Sequence, residues 1–366
     1  MKKILPKKID NMKLLLCMSV LGLLLGCKEK KYNDFSDAVI ARGEMPAVAA
    51  GRDGALLLTF TNGDSILSMR SSDEGKNFAT IVLVDTLKDL VGTSMRGPQI
   101  AATSAGFAMI ACDKNGNIFS YTKMGTNGWR QTARINDVDT VAKEGFLGLA
   151  GNGRNDLFAV WLDLRSDQRN KIFGASSTDG GRSWSKNILV YASPSGAVCD
   201  CCKPSVSVNG KNVFVMFRNN LDGNRDIYLI HSADGGSKFE PAEKMGKGSW
   251  KLDGCPMDGG GMAFDRNDVP QTVWNRKGTI YASSPGIAEK AIGSGRSCTI
   301  TAVDGKNIYA WQEDGEVTVL MPNGIKKKLG KGKLPVLKAL NNRQVLCVWE
   351  NDNEIHRAVM TVLSSA

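Results

Sequence analysis

The chain has 366 residues, a formal net charge of +10, 40 glycines and only two histidines. No single basic run dominates the charge, and the lysines at 326–328 are typical of a solvated turn, so we expect no nucleic-acid partner. Outside the N-terminal segment, no stretch has the length and hydrophobicity of a transmembrane helix.

The N-terminus has the pattern of an export signal. Lysines precede an apolar run at 14–26, "LLLCMSVLGLLLG", which is short for a membrane span. The run ends in "LLGC", Leu24 to Cys27, which resembles the lipobox of bacterial lipoproteins, where the cysteine is lipidated. The resemblance implies a signal peptide at 1–26, a lipidated tether at 27–36 and one folded domain at 37–366. It also implies a location in the bacterial cell envelope, expected at the outer membrane, with membrane contact only through the anchor.

A turn motif occurs three times, as "SSDEGKNF" at 71–78, "STDGGRSW" at 177–184 and "SADGGSKF" at 232–239. Each predicts a tight hairpin in which Asp73, Asp179 or Asp234 accepts hydrogen bonds from the turn's own backbone, while a following glycine tolerates a positive φ. The motif resembles the Asp-box, or BNR repeat, of sialidases and related β-propellers. In that family the motif has a structural role and lies away from the ligand.

A second repeat predicts the fold class. Seven segments each contain an apolar strand, a turn and a second strand that often ends in an aromatic, at intervals of about 40–55 residues, which is the range of propeller blades. We therefore predict an all-β propeller with seven blades, and six, the number in sialidases, remains open. Residues 37–42, "DAVIAR", are expected to supply the outer strand of the last blade and to close the ring.

In propellers the connections into the innermost strands surround the central channel on one face, and this face is the usual ligand site. The sequence places Arg42, Arg96, Lys203, Asp258 and Arg296 at such connections. Three arginines clamp a carboxylate in sialidases, and guanidinium groups suit that task. The leading hypothesis is therefore binding of a glycan or another small anionic molecule at the channel mouth, with structural ion pairs as the alternative for the arginines.

The resemblance to sialidases leaves the question of catalysis open. The family nucleophile is a tyrosine assisted by a glutamate, with an aspartate as acid/base, and no tyrosine of this chain stands at a predicted channel position. Asp64, in "TNGDS", is the nearest match for the acid/base. An exo-α-sialidase-type glycoside hydrolase is thus the enzyme alternative, and no cofactor is expected.

Four cysteines form the remaining feature. Cys199, Cys201 and Cys202 fall in "CDCC", and Cys255 falls in "GCPM", before the next predicted blade. Because an exported chain keeps disulfides, we predict a bridge from Cys255 to the 199–202 cluster. Two alternatives are a soft-metal site, favouring Cu(I) with Met257 as a thioether ligand, and a vicinal Cys201–Cys202 disulfide. The soft-metal alternative implies a protein that handles copper.

Overall fold

The computed structural model describes Met1 and residues 34–362, so Cys27 and the predicted signal peptide after Met1 lie outside the described residues. The described part of the chain forms 28 strands and no helix, and it therefore offers no helical segment that could cross a membrane. The prediction of an all-β chain is confirmed.

The strands form seven four-stranded antiparallel sheets, the blades of a β-propeller. Strand β1 (Phe35–Arg42) comes first in the chain and belongs to the last blade. The other strands follow in order, four in each of blades one to six and three in blade seven: β2 (Glu44–Ala50), β3 (Leu56–Asn62), β4 (Ser65–Ser71), β5 (Val82–Thr86); β6 (Gln99–Ala102), β7 (Gly106–Cys112), β8 (Ile118–Met124), β9 (Arg130–Arg134); β10 (Leu147–Gly151), β11 (Leu157–Asp163), β12 (Lys171–Ser177), β13 (Ile188–Tyr191); β14 (Ser205–Asn209), β15 (Asn212–Arg218), β16 (Ile227–Ser232), β17 (Glu243–Lys244); β18 (Gly260–Phe264), β19 (Pro270–Arg276), β20 (Thr279–Ser283), β21 (Lys290–Ser294); β22 (Arg296–Val303), β23 (Lys306–Glu313), β24 (Glu316–Leu320), β25 (Lys326–Lys331); β26 (Lys333–Ala339), β27 (Gln344–Asn351), β28 (Glu354–Thr361).

The first strand of each blade lies innermost. Each inner strand contacts the inner strand of the next blade, from β2 and β6 through to β22 and β26, and β26 contacts β2 to complete the circle. Seven blades are therefore present, and the six-bladed alternative is wrong.

The ring closes between the two ends of the described chain. Strand β1 pairs antiparallel with β28, with Val39 opposite His356 and Arg42 opposite Glu354. The side chains of Asp37 and His356 also form a hydrogen bond, 2.7 Å between Oδ1 and Nδ1. The strand begins at Phe35, two residues before the predicted domain start at 37. Pairing of β1 removes the free edge that β28 would otherwise expose.

The hydrophobic core lies between neighbouring blades, which cover each other's faces. Because both faces of a second strand are covered, its residues are buried in continuous runs, as in β11, where every residue is buried. Four tryptophans on second strands anchor these contacts, each at most 2% exposed: Trp161, Trp274, Trp311 and Trp349. Truncation of such a side chain to alanine typically costs about 3–5 kcal/mol of stability.

The three Ser-x-Asp-x-Gly turns form the predicted hairpins between the third and fourth strands of blades one, three and four. In blade three, Ser177 Oγ accepts a hydrogen bond from Gly181 N (2.9 Å), and Asp179 Oδ1 accepts one from Ser183 N (3.0 Å). Gly181 has φ +90°, which an L-residue rarely adopts. The same bonds recur at the other two turns, around Ser71 and Asp73 and around Ser232 and Asp234. The turns are structural elements at the opposite end of the blades from the starts of the inner strands.

Candidate functional site at the channel mouth

The seven inner strands surround a cavity of about 280 Å³. Most of its lining is apolar and comes from all seven blades, including Val48, Ile100, Leu149, Val206, Met262, Ile300 and Val336. The longer polar side chains among the lining residues are few: Gln99, Lys203 and Asp258. An apolar cavity with a few convergent polar groups is the usual form of a small-ligand site.

Strained backbone surrounds the start of the inner strands. Six residues other than glycine have φ between +50° and +69° there: Met45, Ser94, Met95, Met257, Ser297 and Leu334. Each such residue costs on the order of 1–3 kcal/mol, and residues of this kind cluster at ligand and catalytic sites. This end of the channel, where the inner strands start, is defined here as the channel mouth.

A buried carboxylate holds one of the strained residues in place. Glu350, 3% exposed, accepts a hydrogen bond from the backbone N of Met45 at 2.7 Å and lies 3.4 Å from Nζ of Lys333. A repeated sequence signal points to this feature: "RGEMP" at 42–46 and "KGKLP" at 331–335 share one pattern of basic residue, glycine, charged residue, apolar residue and proline. In both segments the pairing with the second strand shifts register, between Glu44 and Ala47 and between Lys333 and Val336, so the shared sequence pattern corresponds to a shared bulge.

Lys203 is the one cation whose side chain lines the cavity, among the residues that the structure describes. Its Nζ donates a hydrogen bond to Oε1 of Gln99 at 2.7 Å, and no described carboxylate lies within ion-pair distance. The amide nitrogen of Gln99 is fixed in turn by the carbonyl oxygens of Gly97 and Pro98, both at 3.0 Å. Protein atoms separate Lys203 from bulk water, although part of its surface faces the channel void, and this burial lowers the pKa of Lys203 to about 8.

Asp258 is the acidic group of the same cavity. It is 2% exposed, and its Oδ2 accepts a hydrogen bond from the backbone N of Ser297 at 3.0 Å. Burial raises the pKa of Asp258 to about 6, against the opposing effects of the Ser297 hydrogen bond and the cations Arg218 and Arg296. A carboxyl group of this kind gains and loses its proton near neutral pH.

The three arginines predicted to form a clamp occupy different settings. Arg296 lines a second cavity of about 340 Å³ that also includes Asp258, and its Nη2 donates to the carbonyl oxygen of Met257 at 3.3 Å. Arg96 lies 4.0 Å above the ring of Phe146 and donates to the carbonyl oxygen of Glu144 at 2.6 Å. Arg42 is exposed at the end of β1. Neither Arg42 nor Arg96 lines the two cavities, so Arg296 is the one of these three arginines that the structure places beside Asp258.

Asp64 has a structural setting. It lies in the hairpin between β3 and β4, where its Oδ1 accepts a hydrogen bond from Leu90 N at 3.2 Å and its carbonyl oxygen accepts one from Leu87 N at 2.9 Å. The described residues that line the central cavity include no tyrosine and no glutamate. The constellation that a sialidase mechanism requires is thus not assembled around this cavity.

The cysteine cluster lies on a tight turn that leads into β14. Cys201 and Cys255 form a disulfide with a Cα–Cα distance of 6.1 Å, as predicted for Cys255 and the 199–202 segment. Cys199 and Cys202 are free thiols, 1% and 2% exposed, and the vicinal Cys201–Cys202 alternative is wrong. The side chain of Met257 packs against the three buried cysteines.

The three buried sulfurs are close together. Sγ of Cys199 lies 3.6 Å from that of Cys201 and 3.5 Å from that of Cys202, and the third side of the triangle measures 4.0 Å. The hydrogen bond with Cys202 lowers the pKa of Cys199 to about 7, with help from Arg225 and Arg218 and against burial. Burial raises the pKa of Cys202.

Arg218 is a further member of the site that the sequence did not indicate. It is 2% exposed, and its guanidinium donates to the carbonyl oxygens of Asp258 (3.3 Å), Arg225 (2.7 Å) and Asn275 (2.9 Å). No described carboxylate lies within ion-pair distance of it. The site therefore holds a buried positive charge whose hydrogen bonds go to neutral groups.

No family model matches this chain, and no curated protein sequence matches it. Among solved structures, virginiamycin B lyase from Staphylococcus aureus is similar in fold at 12% identity, covering 89% of this chain and 98% of that one with a TM-score of 0.54. A triple mutant of AofleA from Arthrobotrys oligospora is 14% identical, covering 91% and 93% with a TM-score of 0.50. The Hadza microbial sialidase Hz136 is 12% identical, covering 88% and 66% with a TM-score of 0.44. The first two similarities show a shared fold and do not extend to activity.

Proposed function

We propose that the propeller binds a small anionic ligand at the channel mouth, and that an acidic monosaccharide or the acidic terminus of a glycan is the chemical class that fits best. The observation that carries this proposal is the Lys203–Gln99 pair. A buried ammonium group whose one hydrogen-bond partner among the described residues is a neutral amide keeps its charge available, and it has two further N–H donors for a ligand.

The charges around Lys203 favour an anion. Arg296 and Arg218 lie close enough to Asp258 to oppose the rise of its pKa, so both cations belong to the same neighbourhood. Asp258 is the one acidic side chain among the described lining residues of the central cavity, and its raised pKa reduces its negative charge near neutrality. The balance of charge in the site is therefore positive.

Size and lining narrow the ligand class. Ligand cavities for drug-sized molecules measure about 300–1,000 Å³, so a cavity of about 280 Å³ matches a single sugar ring or a smaller carboxylate. The apolar walls, formed by residues such as Leu149, Val206 and Val336, suit the apolar faces of a sugar ring. The fixed amide of Gln99 holds the ammonium group of Lys203 by a hydrogen bond of 2.7 Å.

Calorimetric titration tests the proposal, with N-acetylneuraminate and glucuronate as probes and glucose as the neutral counterpart of glucuronate. We expect the acidic sugars to bind more tightly than glucose. Lys203→Met should weaken their binding by about 10–100-fold, since a hydrogen bond to a charged group contributes about 1.5–3 kcal/mol. Lys211→Met, at an exposed position in the hairpin between β14 and β15, is the matched control and should bind like the parent. Equal binding of glucose and glucuronate, unaffected by Lys203→Met, would contradict the proposal.

A fluorogenic sialoside tests hydrolysis separately. We expect no turnover, because the described lining of the central cavity offers neither a tyrosine nucleophile nor a glutamate to assist it. Turnover that disappears in Arg42→Ala and Arg96→Ala would restore the glycoside hydrolase alternative.

A further inference from the structure

The cysteine cluster is larger than a structural disulfide requires. The Cys201–Cys255 bridge uses two sulfurs, but Cys199 and Cys202 bring two more buried thiols to within 4.0 Å of Cys201. All three cysteines of the 199–202 segment are at most 7% exposed, and the thioether-bearing side chain of Met257 packs on them. Channel binding of an anion involves none of these sulfurs.

We propose that this cluster is a soft-metal site that the Cys201–Cys255 disulfide closes, and that reduction of the disulfide opens it to one Cu(I) ion.

The spacing of the sulfurs matches a metal triangle. Three sulfurs at metal–sulfur bonds of about 2.3 Å stand about 3.8 Å apart in tetrahedral geometry and about 4.0 Å apart in trigonal geometry. The observed separations are 3.5, 3.6 and 4.0 Å. An ion could therefore enter between Cys199, Cys201 and Cys202 with small side-chain movements.

The ligand types select a soft cation. Thiolate and thioether ligands favour Cu(I) among the biological metals, and the cluster contains three buried cysteines, Met257 and no histidine. Structural zinc sites take four ligands in closed tetrahedral geometry, and here the fourth cysteine, Cys255, is exposed on its loop. Three buried sulfurs with a neighbouring thioether therefore suit Cu(I) better than Zn²⁺.

Charge in the surroundings balances such a complex. Three thiolates and one Cu(I) together carry two negative charges. Arg218 and Arg225 are the two cations that act on Cys199, and Arg218 is buried without a carboxylate partner among the described residues. A buried cation of this kind is costly unless an anionic partner compensates it, and the metal–thiolate complex would be that partner.

The redox step is an ordinary thiol–disulfide exchange with an external dithiol. A thiolate of the dithiol attacks Sγ of Cys255, an exposed residue, the Cys201–Cys255 bond breaks, and Cys201 leaves as a thiolate. The second thiol of the reagent then displaces Cys255, so the dithiol becomes a disulfide and both protein cysteines are reduced. Cu(I) binding to Cys199, Cys201 and Cys202 releases their remaining thiol protons to solvent.

Competition against a chromogenic Cu(I) chelator under anaerobic conditions tests the proposal on the whole chain. Peptide mapping first verifies the two states, with a joined Cys201–Cys255 fragment in the oxidised protein and none after phosphine reduction. We expect the reduced protein to retain one Cu(I) per chain and the oxidised protein to release it to the chelator. X-ray absorption should show a first coordination shell of sulfur alone.

Matched variants separate the site from the other thiols. Replacing even an outer partner of a metal ligand costs about 10–100-fold in affinity, so Cys202→Ala should cost at least that much. Cys112→Ala, a buried free cysteine of blade two outside the cluster, should bind Cu(I) like the parent. Met257→Leu keeps the packing volume and should weaken binding by a smaller factor.

Three results would overturn the proposal. In the first, the reduced parent gives up Cu(I) as readily as a Cys199→Ala/Cys202→Ala variant whose far-UV spectrum shows intact blades. In the second, the oxidised protein retains as much Cu(I) as the reduced one, which would show that the disulfide does not close the site. In the third, Zn²⁺ displaces Cu(I) at equal concentration, which would show that the site does not prefer Cu(I). None of these results depends on whether the acidic sugars bind in the channel.

Discussion

Lys203 and Asp258 line one cavity, and burial moves the pKa of each toward neutrality, to about 8 for Lys203 and about 6 for Asp258. Below pH 6 the pair carries a net positive charge, between 6 and 8 it is balanced, and above 8 it is net negative. The charge of this pair thus changes sign between about pH 6 and pH 8, while the nearby cations Arg218 and Arg296 keep their charge.

The affinity for an acidic sugar should follow this charge. We expect the dissociation constant of glucuronate to rise in two steps as the pH increases, first through about 6, when Asp258 ionises, and then through about 8, when Lys203 loses its proton. Calorimetric titration across this range is the measurement. Asp258→Asn should abolish the first step and keep the second, and a dissociation constant that is flat in both proteins would show that neither group contacts the anion.

Asp258→Asn should also stabilise the fold at neutral pH. A carboxyl group whose pKa is raised in the folded state favours folding while it is protonated, and this contribution is lost as the pH rises through about 6. At pH 7.5 the asparagine variant should therefore gain about 2–3 kcal/mol in the free energy of unfolding, measured by urea denaturation, and the gain should vanish below about pH 4. Ser297 keeps its hydrogen-bond acceptor in the variant. A variant less stable than the parent at pH 7.5 would show that the charged form of Asp258 is compensated.

Asp179→Ala should have the opposite effect and leave ligand binding unchanged. Desolvation raises the pKa of Asp179, but the hydrogen bonds from Ser183 and its neighbours outweigh this effect and lower the pKa. The carboxylate therefore stabilises the fold above its unfolded pKa, and this stabilisation is lost in acid. Loss of the turn's hydrogen bonds should cost about 1 kcal/mol at pH 7. Thr178→Ala, at the exposed neighbouring position, is the control. Weaker glucuronate binding in Asp179→Ala would place the turn in contact with the ligand site.

Cys255→Ser should lower thermal stability and leave the blades folded. The disulfide spans 54 residues of sequence, and closing a loop of that length contributes about 4 kcal/mol. The far-UV spectrum should not change, because the bridge joins two loops at the mouth rather than strands. Equal melting temperatures for the oxidised parent and the variant would mean that the disulfide does not stabilise the folded state relative to the unfolded state.

Cys27→Ser tests the expected lipid anchor, which lies outside the described residues. We propose that lipidation of Cys27 holds the protein at the cell envelope, as the "LLGC" pattern implies. The variant should lose palmitate labelling and move from the membrane fraction to the soluble fraction. The neighbouring Cys17→Ser, inside the apolar run, is the matched control and should stay in the membrane fraction. Unchanged palmitate labelling in Cys27→Ser would contradict the proposal that Cys27 is lipidated.

The sequence by itself determined the repeating architecture, because the signals for it are local. A Ser-x-Asp-x-Gly turn such as that at Asp179 satisfies its own hydrogen bonds within five residues, and blade-sized spacing of apolar strands predicts a propeller whatever surrounds it. The same local patterns identified residues 37–42 as the closing strand, and the expectation that the chain is exported made a disulfide from Cys255 the favoured pairing.

Only the tertiary structure decided the composition of the site, because its contacts join distant segments. Gln99 meets Lys203 across 104 residues of sequence, and Met45 meets Glu350 across 305, so neither pair leaves a local pattern. The pairing of Cys255 with Cys201, rather than with Cys199 or Cys202, depends on the directions of side chains within one tight turn. Arg96 and Arg296 both stand before a predicted inner strand. The packing between blades two and three nevertheless directs Arg96 onto Phe146 and Glu144. Arg296 instead lies beside Asp258. Burial, which sets the charge of Lys203 and Asp258, arises only when seven blades close around the channel.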